Sequence, residues 1–147
     1  MLDQGTGPLK YLAITLGLVV LYQYFGEEKK IDAQAIASRD PWFERHIYGE
    51  GGPVLLKFGA EWCGPCRSLD ANLRAVEPMF RGRIKVVRVD VGEHPELAQT
   101  FGVRSIPHSF VIYQGRIVEQ RRGSMEIETL RQWIAQVSEK AYRMSPR

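Results

Sequence analysis

Apolar residues recur along this chain at three different spacings, and each spacing predicts a different kind of element. From Leu9 to Phe25 they are nearly continuous, LKYLAITLGLVVLYQYF, with Lys10 the only charge before Glu27, Glu28, Lys29 and Lys30. At ~1.5 Å per helical residue this run covers roughly 25 Å, slightly short of a hydrocarbon core of about 30 Å. Lys10 can snorkel outward, and Tyr11, Tyr22 and Tyr24 fall at the two interfaces. The run therefore predicts a single membrane span that anchors the chain. Its rivals are a cleaved signal peptide, a soluble core helix and a helix lying on the membrane plane. The first is weakened because the small-x-small residues Ala33-Gln34-Ala35 lie beyond the charged cluster. The last is weakened because the apolar residues surround the helix instead of forming one stripe.

Beyond the anchor the spacing changes. Asp40-Pro41 reads as an N-cap with proline at the first helical position, opening a short helix through Trp42, Phe43 and Ile47 that ends at Gly49 to Gly52. Val54 to Phe58 is a compact apolar run bounded by Gly-Pro and Gly, which suits a buried strand. Leu69, Leu73, Val76 and Phe80 then recur at helical spacing. Ile84 to Val91 reads as a strand, Pro95 to Phe101 as a short helix, and Phe110 to Tyr113 as a strand turning at Gln114-Gly115 into Arg116 to Gln120. Ile127, Leu130, Ile134, Val137 and Ala141 mark one face of a terminal helix. With a further short strand near Ile36, the order predicts an α/β domain over residues 31–147, a mixed central sheet with helices on both faces, after an anchor and flank over residues 1–30.

Composition adds two facts. Twenty Lys and Arg against 17 Asp and Glu leave a net charge of +3, with the basic residues scattered, so no nucleic-acid surface is indicated. The two cysteines of the chain, Cys63 and Cys66, stand in one window, Trp62-Cys63-Gly64-Pro65-Cys66, where the buried strand feeds the helix. The first backbone N–H groups of a helix lack internal partners and carry partial positive charge, so a thiol at that point is stabilised as thiolate. Cys66 falls nearly one turn deeper, within reach of a disulfide. The pair thus has unequal members: Cys63 attacks a substrate disulfide, and Cys66 then attacks the Cys63 sulfur to release reduced substrate. Pro65 fixes the turn, Gly64 lets a partner's backbone approach, and Trp62 caps one side. The competing chemistry is half a zinc site, but only His46, His94 and His108 remain as soft ligands, with no second cysteine pair. Neither a metal nor an organic cofactor is expected.

The stretch Phe58-Gly59-Ala60-Glu61-Trp62-Cys63-Gly64-Pro65-Cys66 resembles the active-site segment of the thioredoxin family, and Val103-Arg104-Ser105-Ile106-Pro107 resembles its cis-proline loop. The resemblance covers residues 36–138 without a large insertion and implies a thioredoxin fold. It further implies that Pro107 is cis and packed against the cysteines, that the Ile106 backbone pairs with an extended substrate segment, and that Gly123 lies beside that groove. Four positions depart from the family pattern. Lys57 stands where a buried acid helps deprotonate the inner cysteine. A lysine cannot act as that carboxylate; without a partner it would favour its neutral form and accept a proton, and otherwise it pairs with Asp90 or Glu61 or snorkels out. Gly59 replaces a second aromatic and opens space beside the site. His108 follows the cis-proline in place of a small hydroxyl residue, either as an exposed side chain or tuning Cys63 near neutral pH. Ala71 replaces a helix-kinking proline, so a straighter helix is expected.

The expected function is thiol–disulfide exchange through Cys63 and Cys66, reducing or isomerising protein disulfides with electrons from a thiol partner. The competing expectation is a tethered assembly or binding subunit that uses the groove at Pro107, its redox activity incidental. The membrane side is read from the flanks. Lys29, Lys30 and Arg39 outnumber Lys10 and favour a cytoplasmic domain, but the short N-terminal tail and Glu27 and Glu28 weaken that count, and an exported domain is expected.

Overall fold

In a computed structural model of the protein, residues 11, 13–19, 36, 40–48 and 51–144 are described. The chain divides into two compact units, Met1–Lys30 and Ile31–Arg147. In the first, Tyr11 and residues 13–19 are helical and exposed; the rest of the expected anchor lies outside the described residues. Among the described residues no helix is long and apolar enough to cross a membrane.

The second unit is built on β1 (Val54–Gly59), whose six residues are all buried. A strand buried on both faces must be central, and β1 is: the described sheet has the order β2-β1-β3-β4. β2 (Lys85–Asp90) runs parallel to β1, with Lys57 opposite Arg88. β3 (His108–Tyr113) runs antiparallel to β1, and β4 (Arg116–Arg122) antiparallel to β3. The β3–β4 turn carries Gln114 at φ 49° and Gly115 at φ 73°. Two consecutive left-handed residues give the two-residue turn whose twist matches its strands, so the expected hairpin forms.

Helices cover both faces, because the strands alternate. Leu56, Phe58, Phe110 and Ile112 point toward α1 (Pro41–Phe43, continuing as a π turn over Glu44–Tyr48) and α3 (Pro95–Thr100), where Phe43 and Phe101 join them. Leu55, Val111 and Val118 point toward α2 (Gly64–Val76, continuing as a 3-10 turn over Glu77–Phe80) and α4 (Ile127–Arg143). The Asp40 side chain accepts from the N–H groups of Trp42 and Phe43 at 2.9 and 3.1 Å, the expected cap. α2 runs unbroken through Ala71.

Two expectations fail. Ile36 is helical, not in a strand: its carbonyl accepts from the Asp40 N–H at 2.9 Å, an i to i+4 bond, while its side chain joins the α1–α3 core. Ile127 is exposed, because α4 begins its contact with α2 and the sheet only at Leu130.

Candidate active site

β1 delivers the chain to its own C-terminal end, where Ala60 to Trp62 turn and α2 begins. Cys63 is the N-cap of α2, with extended backbone (φ −87°, ψ 109°), and its sulfur accepts from the Cys66 N–H at 3.3 Å. The helix thus directs one of its unpaired N–H groups at that sulfur, the arrangement that favours negative charge there. Cys66 lies in the first turn, completely buried, and the two sulfurs are joined as a disulfide with Cα atoms 5.2 Å apart. Gly64 and Pro65 are the exposed residues between them, and Trp62 stays open to solvent at the rim.

The second half of the site comes from the loop before β3. Ala60, Cys63 and Cys66 pack as one cluster with Ile106, whose carbonyl oxygen lies 4.0 Å from the Cys63 sulfur. The Ile106–Pro107 bond is cis. The Pro107 carbonyl accepts from the Gly123 N–H at 2.8 Å, and Gly123 sits at φ 86°, a conformation open to glycine. Gly123 therefore ties the end of β4 to the proline loop. Among the described residues no cluster of ligating side chains could hold a metal ion.

Lys57 is nearly fully buried, and its partner is neither Asp90 nor Glu61. Its ammonium donates to Asp70 Oδ2 at 2.7 Å. Asp90 instead accepts from the Gly92 N–H at 2.7 Å, and Glu61 is exposed. Asp70 belongs to the same helix as Cys66, one turn further on, and the Arg88 guanidinium approaches its other oxygen at 3.4 Å. That approach lacks hydrogen-bond geometry, so Asp70 Oδ1 is buried without a donor. Asp70 is the residue that the sequence reading missed. Its signal was the i, i+4 spacing from Cys66 within the helix that covers β1.

The space at Gly59 is filled rather than open. A Cβ there would collide with the Lys57 amine and stand 2.9 Å from Lys57 Cε and 3.3 Å from Cys66 Cβ. The lysine side chain folds back over the glycine beside it on the same strand face, and the missing Cβ is what admits it.

His108 is buried, not exposed. Its Nε2 bonds Gln120 Oε1 at 2.9 Å, its ring packs on Phe110 at 4.1 Å between centroids, and Nδ1 has no partner. No hydrogen bond joins it to either cysteine among the described residues, so the geometry gives no support to tuning of Cys63. Burial holds its pKa below the ordinary histidine value, against the Gln120 bond and together with the Arg122 charge. An unfolded chain takes up a proton here near pH 6.5, where the folded protein does not. Stability should therefore be full above about pH 6.5 and decline as pH falls from there toward the lower folded value. Urea midpoints between pH 7.5 and 5 check this: in His108→Phe the acid decline should be shallower, and an unchanged decline would assign it to other groups.

The family profile described as Thioredoxin matches residues 34–136. The chain is 36% identical over 95 residues to thioredoxin 1 of Nostoc sp., covering 65% of this chain and 89% of that protein. It is 33% identical over 104 residues to a thioredoxin of Haemophilus influenzae, covering 71% of this chain and 97% of the relative. A thioredoxin of Rickettsia felis is 30% identical over 95 residues, 65% of this chain and 90% of its own. These matches agree with a cysteine pair capping the helix that follows a central strand, and so the chain belongs to the thioredoxin family and is a thiol–disulfide oxidoreductase.

Proposed function

We propose that the protein reduces or isomerises protein disulfides, with Cys63 as nucleophile and Cys66 as resolving thiol, while the segment Leu9 to Phe25 tethers it to a membrane on the exported side. The single observation that carries the chemistry is the position of Cys63 at the start of α2, where its sulfur accepts a helix N–H. In the reduced protein this favours the Cys63 thiolate, which attacks a substrate sulfur and forms a mixed disulfide. Cys66 then attacks Cys63, the substrate thiol leaves, and a thiol partner restores the dithiol. The Ile106 carbonyl lies 4.0 Å from the Cys63 sulfur; Ile106 and Pro107 offer backbone to an extended substrate segment, and Gly123 holds that loop. Trp62, Gly64 and Pro65 form the exposed rim against which such a segment docks.

The Gly-Pro pair between the cysteines supports the reducing direction, as in thioredoxins, whose potential is about −270 mV. The apolar run with Lys10 as its only charge supports the tether. Redox equilibration with glutathione and protease accessibility of a C-terminal tag on the full chain in sealed cells together test the reading. A potential near about −270 mV and a tag exposed outside the cytoplasm are expected; one near about −120 mV reverses the direction, and a tag protected on the cytoplasmic side removes the exported placement.

A further inference from the structure

A buried lysine lies beside the thiol that must become an anion, and the exchange between the two cysteines and a substrate disulfide does not by itself require it. Three observations define its setting. The Lys57 stem and the Cys66 Cβ both lie over Gly59, at 2.9 and 3.3 Å from where a Cβ of that residue would be. The Lys57 ammonium is held at 2.7 Å by Asp70 Oδ2. The other oxygen of Asp70 is buried without a hydrogen-bond donor, faces the Arg88 guanidinium of β2 at 3.4 Å, and lies one helical turn from Cys66 on the same helix.

We propose that Lys57 is the counter-ion of the Cys66 thiolate in the resolving step and that Asp70 accepts the Cys66 proton. This rests on the reading of Cys66 as the resolving thiol. In the mixed disulfide, Cys66 is a thiol, Lys57 an ammonium and Asp70 a carboxylate. The Cys66 S–H bond breaks and the proton goes to Asp70 Oδ1. The thiolate sulfur bonds to Cys63, and the bond between Cys63 and the substrate sulfur breaks. The electron pair leaves with that sulfur, which takes up the proton that Asp70 releases. The substrate cysteine is reduced and the Cys63–Cys66 pair oxidised.

Up to the attack on Cys63 the buried cation keeps one anionic partner, exchanging the carboxylate for the thiolate; Arg88 keeps Glu77 as its partner at 3.0 Å, and Asp70 is a carboxylate again once it releases the proton. That matters because an unpaired ion in the interior is strongly unfavourable, whereas a partner exchange is not. A neutral residue at position 57 would leave the thiolate to form in an apolar pocket, where burial disfavours the charged state. Lys57 thus acts through charge rather than as a base, and Gly59 is the residue that gives its stem room.

The test uses the reduced full chain and one equivalent of 5,5′-dithiobis(2-nitrobenzoate). Attack by Cys63 releases a first thionitrobenzoate, and attack by Cys66 on the resulting mixed disulfide releases a second, so two phases report the two cysteines separately. In Lys57→Met the first phase should be unchanged. The second should slow about 10- to 100-fold at pH 6.5 and recover roughly tenfold per pH unit toward the ordinary thiol range near pH 8.5. Asp70→Asn should slow the second phase chiefly at low pH. Lys57→Met/Asp70→Asn, which leaves neither charge unpaired with the other, should retain the slow second phase and so separates the effect from misfolding. A second phase that superimposes on the parent's in Lys57→Met, or both phases slowed alike, overturns the counter-ion role. An unaffected Asp70→Asn overturns the proton acceptor. A parent that shows no first phase at Cys63 instead removes the underlying reading of the pair.

Discussion

Cys63→Ser should bring dithiothreitol-driven insulin reduction down to the uncatalysed rate, a loss of at least about 1,000-fold, because a serine hydroxyl is not ionised at neutral pH and cannot attack sulfur. Cys66→Ser should fail differently. Its Cys63 can still attack, since the capping N–H is a backbone group that the substitution leaves in place. The mixed disulfide then has no resolving thiol, and substrate should accumulate on the protein as a covalent adduct visible on a non-reducing gel. This contrast separates an oxidoreductase from a subunit that merely holds partners in the groove at Pro107. Insulin reduction that persists in Cys63→Ser would show that the measured activity does not run through the pair.

The largest loss of stability should come from Phe110→Ala. Phe110 is 1% exposed and meets Phe58 edge-on at 5.7 Å, Phe101 at 5.2 Å and His108 at 4.1 Å between ring centroids. Three rings, from β1, from β3 and from the C-terminal cap of α3, therefore lose their common neighbour at once. Truncating a buried phenylalanine costs about 3–5 kcal/mol, the transfer of the ring plus the cavity left behind. Against a total of about 5–15 kcal/mol, that removes a large part of the domain's stability. With a urea dependence of about 1–3 kcal/mol/M, the midpoint should fall by roughly 2 M. A fall below about 0.5 M would mean that the neighbouring rings close over the gap. Because Phe110 lies two residues past His108 on the strand that follows Pro107, the same variant should also loosen the cis-proline loop.

Which parts of this architecture were legible in sequence follows from the range of the interactions involved. The cap at Asp40, the hairpin at Gln114-Gly115 and the cysteine pair at a strand-to-helix junction are local, set by residues within one turn of one another. The Lys57–Asp70 pair is not local: the partners are separated by 13 residues and meet only because α2 folds back over β1. Asp90 and Glu61 were the candidates the pattern offered, one in the adjacent strand and one in the turn. Asp90 accepts from the Gly92 N–H and Glu61 is exposed.

His108 was misjudged for a different reason. Starting the strand at Phe110 left the histidine in a loop, whereas β3 begins at His108. Extended by two residues, the alternation places His108 with Phe110 and Ile112 on the face that α1 and α3 cover. The burial was thus readable from period two once the boundary was right. Ile36 shows the opposite limit. A lone apolar residue in a polar stretch carries no period, and its helical state depends on a backbone bond to Asp40.

The folded-back lysine over Gly59 also makes the residue at one position depend on the residue at the other. Thioredoxins, which the segment resembles, usually carry an aromatic residue at the place of Gly59 and an acid at that of Lys57. The Lys57 stem occupies the volume into which a side chain at position 59 would project, and the two residues stand on one face of a single strand. With a bulky side chain at position 59 the end of the lysine would have to swing to another rotamer, away from the place beside Asp70 that it occupies here. The two positions are therefore coupled: the present course of the lysine and a larger residue at 59 exclude one another.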